Sequence, residues 1–241
     1  MKKQLFCALT IVAALAIAAS SASAALIVGD VINIDLQENG NGINATSNTD
    51  GPYQTQPATP TWNVFDRDDG QSNLVLLDHT GQDDGLTLTS SFDNNWRSSN
   101  YSSYNTSPNL VVYDYWNDGA GTFSINNVPT GTYELYVVAG ISQYSDDLFS
   151  TVTVGGVSKV SSVRNDILGD DGVSHLPSES GWVEGENYAK FTVVLSTPGS
   201  ISGSVTGKIF LNGMQLVVVP EPATMSLLAL GGIAMLRRRK K

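Results

Sequence analysis

Val128-Pro129-Thr130-Gly131-Thr132-Tyr133-Glu134-Leu135-Tyr136-Val137-Val138-Ala139 is the most strand-like stretch of this 241-residue chain. Pro129 and Gly131 suit a tight turn, and the run that follows holds the aromatic and β-branched residues that fit a pleated, buried surface. The same grammar repeats on both sides. Upstream, Val31-Ile32-Asn33-Ile34-Asp35-Leu36 alternates apolar and polar residues, the period of a half-buried strand. Trp62 to Phe65, Leu74 to Leu77, Leu86 to Ser90, Leu110 to Tyr115 and Thr122 to Ile125 read as further short strands, with Asp/Gly turns at Asp68-Asp69-Gly70 and Asp83-Asp84-Gly85. Downstream, Val152-Thr153-Val154-Gly155-Gly156-Val157 is a strand, a two-residue hairpin turn and its return. Tyr188 to Leu195, Ile201 to Val205 and Ile209 to Val218 complete the set, with Asn212-Gly213 marking either a hairpin turn or a bulge in the last run. Glu38 to Pro60 reads as a long loop. About eleven short strands, no credible long helix and no repeat period predict an all-β fold, an antiparallel β-sandwich.

The two ends differ from this middle. Residues 1–24 have the form of a secretory signal peptide: Lys2 and Lys3, an apolar run from Leu9 to Ala19, and small residues at Ala22-Ser23-Ala24. Cleavage is expected before Ala25. Cys7, the one cysteine, lies inside this segment, so disulfides and thiol chemistry are excluded for residues 25–219. At the other end, Pro220-Glu221-Pro222 stops the last strand, because two prolines fix φ and remove two amide donors. About fourteen largely apolar residues, Ala223 to Leu236, follow and make a helix of roughly 21 Å, short for a hydrocarbon core of about 30 Å. Arg237, Arg238, Arg239, Lys240 and Lys241 snorkel to extend it and hold the terminus in the cytoplasm.

Between the ends lies one sizeable domain, residues 25–219, with 6 Lys and Arg against 22 Asp and Glu, a formal net charge of −16. Such a surface repels phosphate and excludes nucleic acid as a partner.

The tail, read as Val219-Pro220-Glu221-Pro222-Ala223-Thr224, a Leu-rich run broken by Gly231-Gly232, and the terminal cations, closely resembles the PEP-CTERM sorting signal of exported bacterial proteins. The resemblance implies recognition by an exosortase at the membrane, delivery of residues 25–219 to the cell surface, and an exopolysaccharide-producing, biofilm-type envelope. A second resemblance spans the middle. Thr61-Trp62-Asn63, Leu77-Asp78-His79-Thr80-Gly81 with Gly85-Leu86-Thr87-Leu88, Ile125 to Tyr133, and Leu211-Asn212-Gly213-Met214-Gln215-Leu216 are similar to galactose-binding-like jelly rolls.

Chemistry is harder to place. His79 and His175 have no metal-ligand spacing and are expected as exposed loop residues, and no hydrolase, P-loop or dinucleotide motif occurs. Asp pairs beside glycine are what turns use. Asp66-Arg67-Asp68-Asp69-Gly70 offers hard oxygen ligands at a sharp turn and makes Asp66 and Asp68 the candidate calcium ligands, although it departs from an EF-hand loop. The tract from Phe92 through Trp96, Arg97, Tyr101 and Tyr104 to Trp116 interleaves rings with Asn, Ser and Arg. Rings stack on sugar C–H faces while the polar groups bond hydroxyls, so this tract is the candidate glycan site; the other reading is that its rings cap the core. The expected function is a non-catalytic structural or binding component of the extracellular matrix. A lectin-like carbohydrate-binding module is the alternative, and a polysaccharide hydrolase the distant one.

Overall fold

The computed structural model describes residues 26–36, 51–65, 72–92, 94–97, 114–117, 120–139, 150–161, 181–207 and 211–220, with backbone alone for 94–97 and 114–117. These residues form thirteen strands and no helix. The strands are β1 (Val31–Leu36), β2 (Trp62–Phe65), β3 (Leu74–Leu77), β4 (Asp83–Ser90), β5 (Asn94–Arg97), β6 (Asp114–Asn117), β7 (Ala120–Val128), β8 (Gly131–Ala139), β9 (Ser150–Val154), β10 (Val157–Ser161), β11 (Ala189–Leu195), β12 (Gly199–Gly207) and β13 (Leu211–Val219).

They build two sheets. One runs β11-β8-β13-β1-β2, with β6 on β13 and β5 on β6; the other runs β10-β9-β12-β7-β4-β3. From β6 onward every connection except the β9–β10 hairpin crosses from one sheet to the other, the wiring of a jelly roll. The Gly155-Gly156 turn closes that hairpin with φ of 57° and 80°, the left-handed pair that a two-residue turn requires. Among the described strands all pairings are antiparallel but one: β1 and β2 run parallel, Asn33 opposite Trp62 and Leu36 opposite Phe65. The 25-residue link between those strands is long enough to carry the chain back to the same end.

Alternation decides which face is inside. In β8, Tyr133, Leu135, Val137 and Ala139 enter the core; in β7, Phe123, Ile125 and Val128 meet them from the opposite sheet. Two glycines make room for aromatic rings there. A Cβ on Gly121 would lie 2.4 Å from the Phe92 ring, and one on Gly203 would lie 2.4 Å from that of Phe123. Phe123 and Gly203 are cross-strand partners, so the ring covers the bare glycine backbone. Tyr133 donates its hydroxyl to the Pro129 carbonyl at 2.8 Å, tying the turn before β8 to the strand in the manner of a tyrosine corner.

Several expectations change in detail. Asp83-Asp84-Gly85 is the start of β4 rather than a turn, and the register shift between Leu76 and Leu77 absorbs the irregularity. Asn212-Gly213 is a bulge, with the β13–β8 register shifting between Leu211 and Gly213. His79 is half-buried rather than exposed: its amide donates to the Val31 carbonyl at 2.7 Å. The Trp62-Asn63 and Leu77-to-Gly81 motifs join the sheets at their edge. The Asn63 side chain accepts from Leu77 N at 2.7 Å and donates to Leu77 O at 2.7 Å, acting as the strand partner that β3 lacks on that side. Asp78 Oδ1 accepts from Thr80 N, Thr80 Oγ1 and Gln82 N, which closes the β3–β4 turn.

Candidate functional site

The outer face of the β11-β8-β13-β1 sheet is built around a second, smaller cluster. Tyr136 projects from β8 away from the core and packs with Val31 and Val217, flanked by Tyr53 and Tyr188. Ring centroids are 5.8 Å apart for Tyr53–Tyr136, 5.7 Å for Tyr136–Tyr188 and 6.3 Å for Trp182–Tyr188. These four rings form a row. Tyr136 is buried, while Tyr53, Tyr188 and Trp182 are half-buried and keep part of their surface open.

Polar groups lie against the row. Tyr136 Oη donates to Glu134 Oε2 at 2.7 Å. Lys190 Nζ is 2.8 Å from Glu134 Oε1 and 5.1 Å from the Tyr136 ring centroid. Burial, reinforced by the carboxylate, pushes the Tyr136 phenol up to about 12. Burial pushes the Glu134 carboxyl up, but the bonds from Lys190 and Tyr136 outweigh it and hold the group below its ordinary range. The ammonium of Lys190 is correspondingly raised, its bonds to Glu134 and Tyr136 overcoming desolvation. The ion pair is therefore intact across neutral pH.

One end of the row is fastened by an amide network. Gln215 Oε1 accepts from Tyr53 N at 2.7 Å, and Gln215 Nε2 donates to Asn33 Oδ1 at 2.8 Å and to Tyr53 O at 3.2 Å. Asn33 Nδ2 donates to Gln56 Oε1 and to the Thr61 carbonyl. This network lays residues 51–61 across β13 and β1 and presents Tyr53 beside Tyr136. The other end is set by Asn187, whose side chain bonds Val183 N and the Gly181 carbonyl, shaping the turn that carries Trp182 and Tyr188.

A second cluster sits at the sheet junction. Asp30, Asp78 and His79 each place one ligand atom within 4.8 Å of the others. Calcium takes six to eight oxygens, and two carboxylates with an imidazole fall short of that. Burial raises the Asp84 carboxyl above its ordinary range, and the nearby charges of Asp78, Asp30 and Asp83 raise it further. Asp78 goes the other way: burial raises it, but its bonds from Gln82 and Thr80 prevail and lower it. A raised folded pKa means that ionised Asp84 destabilises the fold above that value and ceases to do so as pH falls below it. Asp84→Asn is expected to raise the melting temperature at pH 7, with the gain shrinking as the pH is lowered toward 3. A gain that is independent of pH, measured by calorimetry, would show that like-charge repulsion is not its source.

The sequence-predicted sites are placed unevenly. Trp96 and Arg97 lie in β5 and Trp116 in β6, paired so that Trp96 opposes Tyr115 and Asn95 opposes Trp116. Tyr101 and Tyr104, the calcium candidates Asp66 and Asp68, the cleavage residues Ala22, Ala24 and Ala25, and the tail from Glu221 to Lys241 lie outside the described residues. Pro220 ends β13. Among the described residues no helix is long and apolar enough to cross a membrane. The row of Tyr53, Tyr136, Trp182 and Tyr188 is not evident in the sequence because its members come from three separate places in the chain, with Trp182 and Tyr188 sharing one turn. One signal was available: if Tyr133 and Leu135 face inward, Tyr136 must face outward.

A family model described as the PEP-CTERM protein-sorting motif matches residues 218–240. The chain carries a PEP-CTERM sorting motif. Such a motif implies an exported protein, held at the membrane through its C-terminal segment before sorting and processed there by an exosortase. No curated protein matches it. Among solved structures, this chain is similar to a chain of the complex of plant peptide RALF23 with FER and LLG2, with a TM-score of 0.41, 13% identity, 79% of this chain and 40% of that chain covered. It is also similar to the family GH115 4-O-methyl-α-glucuronidase BtGH115A, with specificity for decorated arabinogalactans (0.30, 19%, 44% and 14%). A third is the Podospora anserina GH26-CBM35 β-(1,4)-mannanase (0.29, 14%, 57% and 29%). The chain spans less than half the length of each of these proteins, and at these scores the likeness carries no argument about function.

Proposed function

We propose that this PEP-CTERM protein is a non-catalytic component of the cell-surface polysaccharide layer and that its sandwich binds glycan at the Tyr53–Tyr136–Tyr188–Trp182 row. The row itself carries the proposal. Three partly open rings and the buried Tyr136, spaced 5.7–6.3 Å apart between neighbours, lie beside a fixed Glu134–Lys190 pair. Rings supply the flat apolar surface on which sugar C–H groups stack, while carboxylate and ammonium take the hydroxyls. The amide network holds Tyr53 in place before any ligand arrives, which cuts the ordering cost of binding. This is the lectin-like alternative read from the sequence, moved from the Trp96–Trp116 tract to other residues of the same sheet and its loops. Glu134 is poorly suited to be a general acid, because its bonds from Lys190 and Tyr136 hold it ionised.

Calcium belongs to this reading as a stabilising ion of the acidic loops, supported by the net charge of −16 over residues 25–219. Affinity electrophoresis of that segment against soluble polysaccharides, run in calcium and in chelator, tests both ideas. Tyr188→Ala and Trp182→Ala are each expected to weaken binding about fivefold to thirtyfold, the effect of losing about 1–2 kcal/mol of aromatic contact. Equal mobility shifts for parent and both variants would refute the row as the site. Melting curves that coincide in calcium and chelator would remove the ion.

A further inference from the structure

The opposite face of the sandwich is of a different chemical kind. On the outer side of the β10-β9-β12-β7-β4-β3 sheet, alternation presents Thr87 and Thr89 from β4, Thr122, Ser124 and Asn126 from β7, and Ser200, Ser202, Ser204 and Thr206 from β12. Thr151, Thr153 and Ser158 continue the surface onto β9 and β10. Among the described residues the one charge on this side is Asp83, at the rim where β4 begins. The chain around it is strongly acidic, at −16 over residues 25–219.

The hydroxyls are organised across strands. Ser124 Oγ donates to Asn126 Oδ1 at 2.8 Å and lies 2.9 Å from Ser202 Oγ; Ser200 Oγ donates to Asn126 Oδ1 at 3.0 Å; Asn126 Nδ2 donates to Thr89 Oγ1 at 3.1 Å. Thr153 Oγ1 and Ser158 Oγ are 2.8 Å apart. These bonds tie the short side chains together across the strands, with Val75 and Val160 exposed at the two edges of the sheet. A hollow of about 440 Å³ lies over it, bordered by Thr122, Ser124, Thr153, Ser202 and Ser204 and by the Gly155-Gly156 turn.

We propose that this face is a second docking surface, whose occupant is an uncharged polysaccharide chain. The argument is one of matched charge and hydrogen-bonding type. Carboxylates lose much on desolvation unless they are paired, so an acidic protein takes a neutral polymer best where it has no carboxylates. Hydroxyls both donate and accept, and can exchange water for the hydroxyls of a sugar without leaving a charge dry. Short side chains let the polymer approach the sheet along its length. With the aromatic row on the other sheet, the two faces point away from each other, so that one molecule would hold two chains; that clause rests on the proposed glycan row, the face itself does not.

The experiment uses residues 25–219 alongside the full chain, with hydroxyethylcellulose and dextran as neutral probes and alginate as the anionic control, read by affinity electrophoresis. The double variant Ser124→Asp/Ser202→Asp, which sets two carboxylates in the middle of the layer, is expected to weaken binding of a neutral probe at least tenfold with the melting temperature kept. Thr122→Lys gives an independent charged variant should the double variant fold poorly, and Ser202→Thr, which keeps the hydroxyl, is expected to bind like the parent. Tyr188→Ala/Trp182→Ala is expected to retain this component, so failure of the aromatic row and failure of this face are told apart. Unchanged retardation of both neutral probes by the folded charged variants would overturn the proposal. So would a concentration-dependent dimer in sedimentation that the same substitutions abolish, since the face would then belong to a second copy of the chain.

Discussion

Glu221→Ala is expected to leave the protein inserted at the membrane but unprocessed, a near-complete loss of sorting from the removal of one carboxylate. Both prolines and the apolar run from Ala223 to Leu236 are kept in that variant, so the hydrophobic drive for insertion does not change. What changes is the group inside the matched motif that a recognising enzyme can read. Neutralising Arg237, Arg238, Arg239, Lys240 and Lys241 is expected to fail differently. Each cation near an anionic inner leaflet contributes about 1 kcal/mol, and a run this short holds poorly without them, so the chain should be released or mislocalised with Pro220-Glu221-Pro222 intact. Surface labelling and fractionation of the two variants separate the outcomes. If Glu221→Ala is processed and sorted like the parent, the tail acts as an anchor and nothing more.

Gln215→Leu is expected to destabilise the sandwich strongly. It conserves shape but removes three hydrogen bonds, those to Tyr53 N, Tyr53 O and Asn33 Oδ1. Asn33 and Gln215 are essentially fully buried, so the abandoned partners lose their bonds where water cannot replace them. A buried polar group left unmade costs about 1–3 kcal/mol, and about 3 kcal/mol for the set lowers the melting temperature of a domain this size by roughly 6–12 °C. The variant should also bind glycan more weakly, because Tyr53 is no longer held beside Tyr136, while Trp182 and Tyr188 keep their places. A melting temperature within about 2 °C of the parent would mean that water enters and satisfies the network.

The same network shows where reading along the chain stops. The strand at Tyr133–Ala139, the Gly155-Gly156 hairpin and the Pro220 stop follow from rules that act within a few residues: alternation, left-handed glycine pairs and proline's missing donor. The sorting tail is legible for the same reason, since its three parts are adjacent and each works by local composition. These signals sufficed for an all-β sandwich and for export through the membrane. They did not suffice for the parallel β1–β2 pair, for the choice of a bulge over a hairpin turn at Asn212-Gly213, or for Asn63 serving as a strand partner to Leu77. Each of these depends on which distant segment arrives alongside. The candidate sites divide in the same way. Aromatic and acidic residues close together in sequence, such as Trp96 to Tyr104 or Asp66 and Asp68, drew attention because proximity in sequence is visible. Apart from the outward face of Tyr136, the row of Tyr53, Tyr136, Trp182 and Tyr188, the junction of Asp30, Asp78 and His79, and the uncharged hydroxyl layer leave no mark along the chain. They are assembled by the order of strands in two sheets, and that order is set by long-range burial rather than by any neighbour in the chain.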